Sequence, residues 1–210
     1  PASATDNALA RFDLTTGKLI QNSVGILSDA GILTGLTGLT SSGSITFSSL
    51  TSGRVPYATT AGLLTDSANL LYSGTDLTVY GLTVGRGGGA VSTNTVVGAS
   101  ALASGSNTGV GIVAIGYQAL TANTSGNSSI AIGYQALTTN STGNQNIAIG
   151  QTALQATTGS GNIGIGHNVL FANSSGGNNT AIGTQALQAN TTASNNTAVG
   201  YASLYSNTTG

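Results

Sequence analysis

Seven glycines, each preceded by Ile or Val and each followed four residues later by Leu, recur between residues 94 and 210 of this chain. They stand at Gly98, Gly116, Gly133, Gly150, Gly166, Gly183 and Gly200, at spacings of 18, 17, 17, 16, 17 and 17 residues. The residues before them are Val97, Ile115, Ile132, Ile149, Ile165, Ile182 and Val199. The leucines after them are Leu102, Leu120, Leu137, Leu154, Leu170, Leu187 and Leu204, preceded by Ala except at Val169 and Ser203. Self-similarity at one short period marks a chain of stacked units, none of which can bury its apolar face alone.

One unit shows what the period builds. Asn146-Ile147-Ala148-Ile149-Gly150 alternates as a short strand does, which places Ile147 and Ile149 on one face and Ala148 on the other. Gly150 permits a sharp corner or a positive φ, and Gln151-Thr152-Ala153-Leu154 returns a leucine to the core. Asn140-Ser141-Thr142-Gly143-Asn144 is turn chemistry, because these side chains bond to nearby backbone and Gly reverses the chain. Stacking such coils sets Ile on Ile and Leu on Leu about 4.8 Å apart. The expected repeat core is therefore Ile115, Leu120, Ile132, Leu137, Ile149, Leu154, Ile165, Leu170, Ile182, Leu187, Val199 and Leu204. A helical array is rejected: paired helices need about 34 residues per repeat, and Gly, Asn and Thr are poor helix formers.

Composition narrows how such coils can be stabilised. Charged residues make up 4% and aromatics 5%, with 32 Gly and no Trp, Met or Cys; an ordinary domain is about 25% charged. Burial returns roughly 25 cal/mol per Å² against about 1.5 kcal/mol of ordering entropy per residue. Alanine-rich coils gain little from that exchange, so a core shared between chains is expected. The net charge of −1 offers nothing to nucleic acid or an anionic membrane. Without cysteine there are neither disulfides nor thiolate metal sites, and no apolar run reaches the 18 residues of a membrane span.

All nine charged residues, Asp6 through Arg86, precede Gly87-Gly88-Gly89, which reads as a hinge. Before it lies a weaker duplication. Arg11–Ser23 parallels Arg54–Ser67, and Leu33-Thr34 matches Leu77-Thr78 at an offset of 44. Three regions follow: a shaft-like β module at 1-47, a second at 48-92 ending in the hinge, and a repeat solenoid at 93-210. Leu36 to Ser52 alternates Ser, Thr and Gly with apolar residues, as expected of thin β-structure wrapped around partner chains. With no Met and a close in mid-repeat at Asn207-Thr208-Thr209-Gly210, the sequence is expected to be a processed chain or a stretch of a longer one.

The Asn179–Gly183 unit, Asn-Thr-Ala-Ile-Gly, resembles repeats in trimeric autotransporter adhesin heads. Gly133–Gly143, with its Gly-Tyr-Gln-Ala-Leu core, is similar to repeats of bacteriophage tail fibres, and Asp6–Ser23 to their shaft modules. The resemblance implies an all-β, elongated, homotrimeric fibre, with shaft modules first and a parallel β-solenoid (β-roll) of seven coils, each of about 17 residues, after. The repeats are longer than those of adhesin heads, which implies longer corner loops. A basic neck, a coiled-coil stalk, an anchor and a chaperone domain are not found in the sequence.

Few residues suggest chemistry. His167, the lone histidine, occupies a slot held elsewhere by Tyr117, Tyr134, Gln151, Thr184 and Tyr201, so it reads as exposed decoration. The solenoid has no carboxylates to pair for acid–base work, and Gly87-Gly88-Gly89 lacks the Lys and Ser/Thr of a phosphate loop. Asp66 and Asp76 are read as turn caps before cation ligands. Tyr117, Tyr134 and Tyr201 are the candidate surface-binding residues; Tyr117 and Tyr134 fall one coil apart and form either a platform for sugar rings or cross-coil packing. The sequons at Asn123, Asn140, Asn173, Asn190 and Asn207 are explained by inward Asn ladders or polar turns without modification.

The expected function is structural, not enzymatic: a phage tail fibre segment supporting attachment to the host surface, located on the virion or an extracellular surface. No cofactor or metal is expected. The expected partners are two further copies of the chain and a host glycan or protein receptor, with neither nucleic acid nor membrane. Alternatives are a bacterial trimeric adhesin head, an ice-binding solenoid, which a persistent Thr face would favour, and a self-assembling extracellular filament.

Overall fold

The computed structural model describes residues 26–27, 33–34, 50–59 and 64–208. The chain divides into two units, Pro1–Ser48 and Ser49–Gly210. In the first, β1 (Ile26–Leu27) pairs antiparallel with β2 (Leu33–Thr34). The rest of the expected 1-47 module, including the Arg11–Ser23 half of the duplication, lies outside the described residues.

In the second unit β3 (Tyr57–Ala58) and β4 (Leu64–Thr65) form an antiparallel pair. β5 (Leu70–Tyr72) turns back through Ser73–Asp76 onto β6 (Leu77–Val79). Shifted by the 44-residue offset, β1 and β2 fall on β5 and β6, so both copies of the duplication carry a hairpin at matching positions. Their registers differ by one residue, Ile26 facing Thr34 but Leu71 facing Thr78.

β5 and β6 begin a ten-stranded sheet. β7 (Leu82–Gly85) joins β6 to β8 (Thr95–Val97) with antiparallel pairing on both sides. From β8 onward the pairing is parallel, through β9 (Val113–Ile115), β10 (Ile130–Ile132), β11 (Ile147–Ile149), β12 (Ile163–Ile165), β13 (Thr180–Ile182) and β14 (Thr197–Val199). Successive strands stay in register, Ala131 beside Ala148 and Ile149 beside Ile165. The result is the all-β parallel solenoid that the repeat predicts, with about six turns between β8 and β14. The sheet continues across position 92/93, where Gly98 N–H donates to Thr83 O at 2.9 Å.

The recurring glycine is required by how closely coils approach. Gly150 has φ 137°, and a Cβ there would sit 2.3 Å from the carbonyl oxygen of Gly166 in the next coil. The leucine column turns the opposite corner. Leu120, Leu137, Leu154, Leu170 and Leu187 adopt left-handed φ of 48–53°, which costs a branched residue about 1 kcal/mol or more each. That cost is offset because each leucine is fully buried and its N–H reaches the next coil, as Leu137 to Ala153 O at 3.1 Å.

The core differs from the expected set in one half. Leu120, Leu137, Leu154, Leu170 and Leu187 are fully buried. Ile115 and Ile132, however, are only partly covered, and Ile149, Ile165, Ile182 and Val199 are 36–67% exposed. Leu204, on the last coil, is also exposed. The strand turns its middle residue inward, Ala in β9, β10, β11, β13 and β14, Gly164 in β12 and Val96 in β8, and its flanking isoleucines outward. At Gly164 even a Cβ would lie 3.1 Å from Val169 Cγ1 and 3.3 Å from Leu154 Cδ1. The coils on either side hold Ala at both places, as Ala148 with Ala153 and Ala181 with Ala186; here a smaller strand residue accommodates a larger one opposite.

Asparagine completes the interior. Asn146, Asn162, Asn179 and Asn196 form one ladder, in which the amide oxygen of Asn162 accepts the Asn179 backbone N–H at 3.1 Å and side-chain N–H at 3.2 Å. A second stack is interrupted. Asn123 Nδ2 donates to Asn107 Oδ1 at 2.8 Å, Asn173 Nδ2 to Thr157 Oγ1 at 2.9 Å, and Asn190 Nδ2 to Asn173 Oδ1 at 3.0 Å and Ala193 O at 3.0 Å. Asn140 bonds instead to Gly143 of its own turn. The Asn146–Asn196 ladder fixes the register of each of its coils on the next, whereas in the second stack the buried Oδ1 atoms of Asn123 and Asn190 have no partner.

The glycine run is not a free joint. Gly88 N–H donates to Leu102 O at 2.7 Å, and Cβ atoms at Gly88 and Gly89 would fall 1.9 Å from the carbonyls of Ser104 and Asn107. The hinge expectation is corrected on that ground: these glycines let the backbone lie flat on the first coil.

Candidate functional site

The solenoid surface is organised as columns, since side chains in equivalent positions recur once per coil. The column one residue after the repeat glycine holds the predicted surface residues. Tyr117 and Tyr134 stack with ring centroids 5.4 Å apart and planes 18° from parallel, each about half exposed. Tyr201 occupies the same column on the last coil, four coils from Tyr134 and outside the pair. The adjacent column, missed in the sequence, carries a glutamine ladder. Gln135 Nε2 donates to Gln118 Oε1 at 2.8 Å. Gln155, which follows the repeat leucine of the next coil and lies outside this column, donates from Nε2 to Gln135 Oε1 at 3.1 Å. The signal was the recurring Tyr-Gln pair at Tyr117-Gln118 and Tyr134-Gln135. Tyrosine faces bordered by amides form a surface that can stack on a ring and bond to hydroxyls.

A hydroxyl column escaped the sequence reading as well. Thr108, Thr124, Thr158 and Ser174 each donate to a carbonyl of the next coil, as Thr158 Oγ1 to Ser174 O at 2.7 Å. These hydroxyls are spent on coil-to-coil bonds. The strand column read for an ice-binding face carries Thr only at Thr95, Thr180 and Thr197.

Titratable groups stand apart from these columns. Asp66 accepts the Thr51 backbone N–H and pairs with Arg54 Nη1 at 3.2 Å. The Thr51 bond first, and Arg54 beside it, hold its carboxyl below the usual value although desolvation pushes the other way. Asp76 accepts the backbone N–H groups of Arg86 and Gly87. Both carboxylates, read from the sequence as caps of their own turns, instead hold backbone N–H groups 10 to 15 residues away along the chain. His167 is exposed on the coil surface. Among the described residues no three His, Cys, Asp or Glu side chains converge as metal ligands. Asn123, Asn140, Asn173 and Asn190 are fully buried, so folding withdraws these sequons from glycosylation. A hollow of about 270 Å³ opens beside Tyr57, Leu70, Val79 and Tyr80 on the hairpins.

Fold and surface together define a tandem-repeat β-solenoid that displays its side chains in ordered columns. No protein-family model, no curated protein and no solved structure matches the chain.

Proposed function

We propose that the chain is a segment of a phage tail fibre: three copies side by side, each contributing a roll of seven coils, that support attachment to the host surface. The role is mechanical, an uncharged spacer in a virion, and no catalytic step is assigned to it. One observation carries the assembly. Among the described residues, nothing before Asn94 is buried, yet Tyr57, Leu71, Tyr72, Leu77, Tyr80, Leu82 and Val84 are all exposed. Hairpins that expose that much apolar surface need a cover, and partner chains provide one. The resemblances to tail-fibre repeats and shaft modules support the same reading.

Host contact is assigned to the tyrosine column, with a sugar ring as ligand. Labelled chain should decorate host cells, and Tyr117→Ser with Tyr134→Ser should abolish that decoration while leaving the melting profile within about 1 kcal/mol, as for exposed side chains. Unchanged cell and glycan binding by the double variant would remove the receptor role. A wild-type mass of one chain in light scattering would remove the fibre reading itself.

A further inference from the structure

The outward aliphatic column of the solenoid does not stop where the solenoid begins. Residues facing each other in register project from the same side of a sheet. Val97 faces Val84 across the antiparallel step, Val84 faces Leu77, and Leu77 faces Tyr72. From Val97 the column runs through the residue before each repeat glycine to Val199. One unbroken apolar line thus crosses all ten strands, through the change from antiparallel to parallel pairing and from charged to charge-free sequence. At about 4.8 Å per strand it is roughly 43 Å long. A second outward column, Val113, Ile130, Ile147 and Ile163, widens it in the middle coils. With the second column counted only over its four apolar strands, the strip covers on the order of 400 Å², within the range of about 300–600 Å² at which a contiguous exposed apolar patch is often functional.

We infer that this strip is the interface between copies of the chain, with the strips of three chains converging on an axis parallel to the coil stack. The inference rests on the fibre reading above and locates its contact. Two features favour a second copy as the occupant. The strip has no charge, and its one polar group, the Tyr72 hydroxyl, is satisfied by Gly74 O at 2.8 Å, so a partner must match it by shape alone. A stacked coil repeats every strand spacing, and another copy in the same register has that pitch along its full length. The neighbouring column makes the point by contrast. The slot after the glycine accepts Ala99, Tyr117, Gln151, His167 and Thr184, as water-facing positions do, whereas the strip column keeps Val or Ile in every coil.

The test is the mass of the full chain carrying I132D and I165D, two outward positions whose replacement leaves the Leu, Ala and Asn interior untouched. Wild type is expected at three-chain mass in light scattering, and the variant at one-chain mass with its β-sheet circular dichroism retained. A three-chain variant beside a three-chain wild type overturns the strip as interface and leaves the fibre reading standing. A one-chain wild type overturns both. If the double variant does not fold, single cysteines decide, since the chain has none of its own. Oxidation with diamide should give covalent dimers from I149C and none from Q151C on the tyrosine column; any other pattern overturns the inference.

Discussion

Two stretches of one sheet are held together by different means. Residues 50–92 form antiparallel hairpins with charged groups and, among the described residues, no buried side chain. Residues 94–204 carry no charge and enclose a continuous core of Leu, Ala and Asn. Local turns, and the Asp66 and Asp76 carboxylates that tie backbone N–H groups 10 to 15 residues away, organise the first. Coil-to-coil repetition organises the second. Ladder hydrogen bonds join them without regard to composition, so sheet continuity is a property of register, whereas stability is a property of what each strand can bury.

The sharpest way to break this contrast is at glycine. Gly150→Ala forces a Cβ against the next coil at 2.3 Å and φ 137°, and should cost on the order of 4 kcal/mol in urea unfolding. Gly81→Ala, at φ 81° with nothing within 4 Å, should cost only about 1 kcal/mol. Equal losses would mean that coil approach is not what holds the solenoid. Next comes leucine. Leu137→Ala removes a fully buried side chain and should lose about 3 kcal/mol at any protein concentration. The same change at exposed Leu82 should lose less than about 0.5 kcal/mol in a single chain, with any greater loss appearing only where chains associate.

A smaller effect probes the interior alone. Gly164→Ala crowds Val169 and Leu154 and should cost about 1–2 kcal/mol. Adding Val169→Ala recreates the Ala pair of neighbouring coils and should recover at least about 1 kcal/mol of it; strict additivity of the two changes would refute the compensation. The smallest effect is acid. Asp66 has a folded value below its ordinary 3.8, so its contribution is complete above that value and is lost as pH falls through the lowered one. Hydrogen exchange corrected for intrinsic rates should show the Thr51–Asp66 region opening at low pH while coil amides, which have no nearby carboxylate, keep their protection. Asp66→Asn should abolish that difference.

How the prediction of the core went wrong is instructive. The triplet Ile147-Ala148-Ile149 shows that the isoleucines share a face, and the structure agrees. It does not show which face is inside, because both faces are apolar. Leucines at left-handed φ and the close approach of Gly88 to Ser104 were equally hidden, as neither residue type announces such a contact. The Tyr117–Tyr134 register, in contrast, could be read from spacing alone, because equal repeat lengths bring equivalent side chains into one column.

The sequence by itself determined the period, the parallel stacking and the corner glycines, since these follow from equal spacing and from what a residue without Cβ permits. Only the tertiary structure decided which side of each strand is the core. That choice depends on the width across a closed coil, a distance between residues far apart in sequence, and it turns Ala inward while leaving a column of Val and Ile facing out.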